Sequence, residues 1–301
     1  MRSLLFVPAD SERKLEKGLD AGADVLLIDL EDSVALDRKQ AAREMAAAFI
    51  AGRTEAGNEE AARPALYVRV NDLSTGLTDD DLGVVMAARP DGILLPKASS
   101  ATDVEHLAAK LRVFEAENGI DDGSTRILAL MTENAAGIFS AATYREPHPR
   151  LSGLTWGAED LSAAIGARTA RDDNGRYTDV FRLARALTLV AASAAQVAAI
   201  DTVFVNFRDA DALRAECLEA ERDGFTAKMA IHPAQVPIIN EAFTPSDEAI
   251  ARSRAIIEAF EQAGNPGVVA IDGQMYDRPH LKRAERLLAR AGAAATDRTE
   301  V

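Results

Sequence analysis

A single cysteine, Cys217, stands among 301 residues. One thiol excludes an intramolecular disulfide and any cysteine-built zinc site, and it fits a reducing compartment. Positive charge is also short. The formal net charge is −14, which argues against nucleic acid or an anionic membrane as the main partner. A local group of Arg and Lys can still hold an anionic ligand. No long apolar run opens the chain, because Leu4 to Pro8 gives way at once to acidic and polar residues. That stretch is too short for a signal segment or a membrane span, so a cytoplasmic protein is the expectation. Nor does a glycine-rich dinucleotide fingerprint follow the first apolar run.

What is there is an ordinary globular composition, with 48% hydrophobic and 27% charged residues. Short apolar runs recur at 3–7, 25–31, 65–71, 92–97, 127–133, 153–158, 202–206 and 227–232. Ala-rich amphipathic stretches lie between most of them, at 37–51, 103–118, 179–199 and 211–223, and Thr102-Asp103-Val104-Glu105 reads as a capping box. Strands alternating with helices indicate a parallel sheet, and eight of them indicate a closed (β/α)8 barrel rather than an open doubly wound sheet. Such a barrel uses roughly 250 residues. The expected organisation is therefore a barrel domain over 1–240 and a C-terminal helical extension over 241–301. Residues 52–64 and 169–177 read as polar loops. The extension reads as a helix at 246–264, a polar segment around Asp272-Gly273, and a last helix from His280, which together suggest a lid.

Barrel chemistry sits at the C-terminal ends of the strands. Those ends carry Asp29, Glu31 and Asp32, then Arg69 and Asn71, Lys97, Glu133, Glu159 and Asp160, and finally His232. Alternation puts Tyr67, Arg69 and Asn71 on one face, Asp29 with Glu31, and Ala129 with Met131 and Glu133. Acids without nearby Cys or His pairs suit a hard cation. Magnesium commonly takes one or two protein carboxylates and leaves its other positions to water and substrate. Glu133 and Asp160 are the candidates. The same acids can also serve as helix caps. His232 is either a general base or a structural turn. Lys97 offers a rival chemistry, a Schiff base, which would not need the acids. Lys228 falls near the start of its strand, the wrong end for chemistry.

Two runs near the start, Arg2-Ser3-Leu4-Leu5-Phe6-Val7-Pro8 and Asp29-Leu30-Glu31-Asp32-Ser33-Val34, resemble the citrate lyase beta subunit family. That family belongs to the HpcH/HpaI aldolase superfamily and includes malyl-CoA and citramalyl-CoA lyases. Val68-Arg69-Val70-Asn71, Leu95-Pro96-Lys97 and Trp156-Gly157-Ala158-Glu159-Asp160-Leu161 continue the resemblance. Gly224-Phe225-Thr226-Ala227-Lys228, Ile231-His232-Pro233-Ala234-Gln235 and Asp272-Gly273-Gln274-Met275-Tyr276-Asp277 complete it in order along nearly the whole chain. Ala9 and Ala227 stand where the family usually has glycine, and Arg13 where it often has lysine.

The resemblance implies a TIM barrel that forms trimers or hexamers and binds Mg2+, or Mn2+ in its place, through Glu133 and Asp160. It places substrate binding and catalysis on Arg69, and coenzyme A contacts on Phe6, Arg13, Lys17, Ile231 and His232. Asp277, from the lid of a neighbouring subunit, becomes the catalytic acid. Glu31 and Asp32 fall in support, holding metal-bound water. The implied reaction is reversible cleavage of a 3-hydroxyacyl-CoA such as malyl-CoA or citramalyl-CoA to an acyl-CoA and a 2-oxo acid. Malyl-CoA hydrolysis, a class II aldolase, and a citrate lyase beta subunit fed by an acyl-carrier protein are the rival enzymatic readings. A non-catalytic binding barrel is a further one.

Overall fold

The computed structural model describes residues 1–55 and 63–296. Its first compact unit runs through Asn240, and its second follows from Glu241. In the first, eight parallel strands pair in sequence order and β8 closes onto β1. They are β1 (Ser3–Pro8), β2 (Val25–Asp29), β3 (Ala65–Arg69), β4 (Gly92–Leu95), β5 (Arg126–Leu130), β6 (Leu151–Thr155), β7 (Ala198–Asp201) and β8 (Ala227–Ala230). The connecting helices are α1 (Glu12–Leu19), α2 (Lys39–Glu55), α3 (Thr78–Val85), α4 (Ala101–Glu117), α5 (Ala135–Phe139), α6 (Ala158–Ile165), α7 (Asp179–Ala195) and α8 (Ala210–Asp223). The unit ends within α9 (Val236–Phe243). This is the (β/α)8 barrel expected from the alternation.

Inward side chains from alternate positions fill the barrel, among them Leu4, Leu27, Tyr67, Leu94, Leu128, Ile200 and Met229. Gly92 is glycine because the Tyr67 ring occupies the space: a Cβ there would stand 2.2 Å from a ring carbon. Register places Asp29 beside Pro8 on one side and Arg69 on the other, so these residues share one level at the C-terminal rim.

Several elements differ from the sequence expectation, each for a local reason. The helix expected to reach residue 199 stops at Gln196, which is left-handed at φ 56° while the amide of Val197 turns back to the Ala192 carbonyl. The seventh strand is therefore Ala198–Asp201, and the β-branched run 202–206 is the loop beyond it. The capping box of α4 uses Ser100 and Asp103 rather than Thr102 and Glu105. Helix α2 continues to Glu55, so 52–55 are helical, while 56–62 of the expected loop lie outside the described residues. Residues 169–177 form a small turn with an Arg171–Tyr177 bridge, the guanidinium lying 3.8 Å from the ring centroid.

On the outer side of β7 and β8, Asp201 and Lys228 are both fully buried and 2.9 Å apart. Asp201 also accepts from Trp156 Nε1 at 2.8 Å and Arg185 Nε at 3.1 Å, and Lys228 reaches Glu216 at 2.9 Å. These partners replace the water that each charge loses. Lys228 thus works in the wall of the barrel, and Asp201 fixes the tryptophan that immediately precedes Gly157.

The second unit contains α10 (Asp247–Gln262), an antiparallel hairpin of β9 (Val268–Ile271) and β10 (Gln274–Asp277), and α11 (Arg278–Thr296). Asp272 and Gly273 are both left-handed, at φ 51° and 75°, which matches the twist a two-residue hairpin turn needs. The polar Asp272-Gly273 segment expected between the two helices is therefore the tip of a hairpin. The last helix starts at Arg278, with Pro279 tolerated in its first turn. Phe260, Val269, Tyr276 and Leu281 form this unit's own core.

The neighbouring cations hold the Asp201 carboxyl down at about 2 despite its burial. A depressed carboxylate stabilises the fold above its ordinary range, and that contribution is lost as pH falls through about 2. Asp201→Asn removes the carboxylate shared by Lys228 and Arg185 and leaves them only Glu216 and Glu219, and a loss of about 3–5 kcal/mol is expected at neutral pH. Urea denaturation as a function of pH should show that loss shrinking towards the acid end.

Candidate active site

The rim of the barrel collects charge of both signs. Arg69 at the end of β3 donates from Nε and Nη2 to the two oxygens of Asp29, both at 2.7 Å. Its Nη1 lies 2.9 Å from Glu31 Oε2, and the Phe6 ring centroid lies 4.8 Å from the guanidinium carbon. This fork-on-carboxylate geometry fixes the guanidinium in one plane. Burial opposes its charge, but Asp29 and Glu31 hold the proton on, so Arg69 stays a cation. Burial also pushes Glu31 up, against the pull of Arg69 and Lys97.

Lys97 follows β4 and is left-handed at φ 52°. Its ammonium lies 2.5 Å from Glu31 Oε1, 3.2 Å from Asp160 Oδ1 and 3.6 Å from Asp32. Its backbone N–H donates to Glu133 Oε2 at 2.6 Å. Glu133 itself is 4% exposed. Burial first, and then the neighbouring Asp160 carboxylate, push its pKa up to about 8. The close approach of Gly157 accommodates it, since a Cβ at Gly157 would meet Glu133 Oε1 at 2.8 Å.

These groups border a cavity of about 410 Å³ whose other wall is apolar. Phe6, Pro8, Asp29, Asp32, Arg69, Glu133 and Asp160 line it together with Leu130, Thr202, Met229 and Ile231. A larger hollow of about 1160 Å³ lies on the outer flank between α7 and α8. Arg171–Glu216 and Arg185–Glu219 pairs neutralise charge within it. The smaller cavity, at the strand ends, is where a barrel does chemistry.

Of the residues named from sequence, Phe6, Arg69, Glu133, Asp160, Asp32 and Ile231 meet at this cavity, with Glu31 joined to it through Arg69 and Lys97. Arg13 and Lys17 lie exposed on α1, apart from the cavity lining. His232 caps a short turn, its Nδ1 accepting from the Ala234 amide while its ring stacks on Phe207 with centroids 4.7 Å apart. Asp277 ends β10 in the second unit, where His280 hydrogen-bonds it and lowers its pKa.

Two expected alignments fail. Leu128 and Leu130 point inward, so Ala129 does not, and Glu133 enters from the turn after the strand rather than by alternation. Asn71 lies beyond the end of β3, and its amide and side chain both donate to Asp81 Oδ2, away from the cavity. Sequence reasoning also passed over Asp29 as a clamp and Gly157 as the clearance for Glu133. The strand-end alternation Asp29–Glu31 was the available signal for the first. Nothing local in the sequence marks the second.

Five carboxylates (Asp29, Glu31, Asp32, Glu133 and Asp160) face two side-chain cations, Arg69 and Lys97. Glu31 Oε2 is buried and makes no hydrogen bond despite its nearness to Arg69. Among the described residues no cage of three or more acidic, His or Cys ligands converges. The donor set instead suits a cation that keeps most positions for water or substrate, as magnesium does.

Fold and rim together define a barrel enzyme with an acidic, cation-type centre. A family model described as HpcH/HpaI aldolase/citrate lyase matches residues 2–233. The chain belongs to that family, whose citrate lyase and citramalyl-CoA lyase members are lyases. It is 36% identical to a (3S)-malyl-CoA thioesterase of Cereibacter sphaeroides, over 98% of this chain and 95% of that one. It is 31% identical to the mitochondrial citramalyl-CoA lyase of Rattus norvegicus, over 96% and 86% respectively. Among solved structures, the protein CitE of Mycobacterium tuberculosis in complex with magnesium, acetoacetate and coenzyme A is similar at 34% identity. The TM-score is 0.75, covering 97% of this chain and 98% of that one. The resemblance read from the ordered motifs is thereby borne out.

Because folding raises the Glu133 pKa, the folded protein holds this proton more tightly than the unfolded chain. The resulting stability is full below the ordinary carboxylate range and is lost as pH rises through about 8. In chelator, stability should fall over that window, and Glu133→Gln should flatten the fall. Denaturation midpoints measured across pH check this; an unchanged slope in the variant contradicts it.

Proposed function

We propose that this protein is a magnesium-dependent carbon–carbon lyase acting on a short 3-hydroxyacyl thioester of coenzyme A. Malyl-CoA and citramalyl-CoA are the model substrates, and the products are an acyl-CoA and glyoxylate or pyruvate. The observation that carries this reading is the Glu133–Asp160 pair beside the fixed Arg69 guanidinium in an apolar-walled cavity. Relatives named for malyl-CoA and citramalyl-CoA chemistry, and a neighbour that binds magnesium and coenzyme A, support it.

Glu133 and Asp160 would hold the cation, with Glu31 and Asp32 orienting its water. When bound, magnesium supplies a Lewis acid for the oxygens of the 2-oxo acid portion. Arg69 commits two of its five N–H donors to hydrogen bonds with Asp29, and its Nη1 lies against Glu31 without one, so donors remain for a substrate oxygen where negative charge develops. Cleavage removes the hydroxyl proton, breaks the adjacent C–C bond and leaves the enolate of the acyl-CoA. Leu130, Met229 and Ile231 wall the cavity with apolar surface that limits water around that carbanion.

Asp277, delivered by the second unit of a neighbouring subunit in a homotrimer or hexamer, would move the proton at the enolate carbon. His280 holds its carboxyl below the ordinary range, so it would enter as a carboxylate, take up the hydroxyl proton released in cleavage and return it to that carbon. Arg13 and Lys17 would meet coenzyme A phosphates from the exposed side of α1, with Phe6, Ile231 and His232 beside the thioester arm. Among the described residues no helix is long and apolar enough to cross a membrane, and a cytoplasmic site of action fits the single buried thiol. The 36% identity to a malyl-CoA thioesterase supports a second reading, in which water attacks the thioester instead. Release of free malate without glyoxylate would identify it.

Glu133→Ala and Asp160→Ala should each reduce turnover by at least about a thousandfold with an unchanged circular dichroism spectrum. Near-normal turnover in either variant would remove the cation assignment. Asp277→Asn should lower kcat by about a hundredfold or more while preserving thioester binding. A normal kcat would remove the second unit from the chemistry.

A further inference from the structure

Lys97 is the one prominent residue of the rim that the proposed chemistry leaves without a task. Its geometry is unusual in three respects. It is a non-glycine residue in the left-handed region, at φ 52°, a conformation that persists only where surrounding contacts enforce it. Its ammonium bridges two acids, 2.5 Å from Glu31 Oε1 and 3.2 Å from Asp160 Oδ1. Its backbone N–H, from the same turn, holds Glu133 Oε2 at 2.6 Å. One residue therefore grips both carboxylates assigned to the cation, one through its peptide and the other through its side chain.

We propose that Lys97 is a built-in counter-cation that balances the carboxylate cluster in the metal-free protein and competes with the divalent ion for it. This rests on the reading of Glu133 and Asp160 as cation ligands. A divalent ion on Asp160 and an ammonium 3.2 Å from the same carboxylate oxygen repel each other. Loading must then overcome the lysine's contacts, and the site holds its ion less tightly than its carboxylates alone would. In return the metal-free barrel carries fewer uncompensated buried charges. Lys97 acts on the ion and the fold, and need not touch substrate.

The sign of the effect is what separates this role from a supporting one. Removing a residue that merely builds the site weakens ion binding, whereas removing a competitor strengthens it. Mn2+ binding to the full chain, without substrate, can be followed by electron paramagnetic resonance for the wild type, Lys97→Met, Lys97→Gln and Lys97→Arg. Thermal midpoints are recorded in chelator and in saturating Mg2+. Both neutral variants should bind Mn2+ about tenfold or more tightly than the wild type. They should melt lower in chelator, and Mg2+ should close the gap. Lys97→Arg, which keeps the charge, should stay near the wild-type affinity. Unchanged or weaker binding in the neutral variants, with the wild type binding normally, overturns the role of Lys97 and leaves the metal site standing. Equal tightening in Lys97→Arg overturns it too, because charge is then not the cause. Absence of Mn2+ binding by the wild type overturns both this inference and the metal reading beneath it.

Discussion

Arg69 donates to both oxygens of Asp29 from the neighbouring position on the next strand, and the organisation of the rim depends on that pair. Strand register sets the two residues side by side, and the bidentate fork leaves the guanidinium one orientation. Glu31 then reaches Arg69 from one side and Lys97 from the other, which brings the acids of β2 to those that follow β5 and β6. The ends of β2, β3, β4 and β6 are thus joined through two cations, and the Lys97 backbone N–H adds Glu133 after β5. The surplus of carboxylate that remains is costly in a buried site unless a cation offsets it, and it is most evident in the raised pKa of Glu133.

The outer wall contributes to the same geometry. Asp201 balances Lys228 and Arg185 and holds the indole of Trp156. The residue after that tryptophan is Gly157, whose missing side chain makes room for Glu133, and α6 then carries Asp160 in its first turn. A network that faces away from the cavity therefore fixes the backbone from which one of its acids projects.

The barrel was legible because helix and strand patterns alternate and each strand is a compact apolar run. Its strand-end acids were legible because so many of them, with an arginine and a lysine among them, fall at the ends of successive strands, more than helix capping alone accounts for. Glu133 and Asp160 follow from that reasoning and from the family resemblance alike. The two failed alignments share a cause, namely that alternation holds only while a strand is paired. Asn71 and Glu133 both lie past the last paired residue, so their directions follow loop geometry instead. The seventh strand lies earlier than expected because the β-branched run 202–206 carries a stronger strand signal than the short Ala-Ala-Ile-Asp strand, while a left-handed Gln196 ends the helix early. The roles of Lys97 and Gly157 depend on partners far away in sequence and were not visible before the fold brought them together.

The most direct test is release of a 2-oxo acid from malyl-CoA and citramalyl-CoA, first with magnesium and then with excess chelator. The account predicts glyoxylate or pyruvate that disappears with chelator and returns when magnesium is restored. Release that persists in chelator, or free hydroxy acid as the sole product, would contradict it.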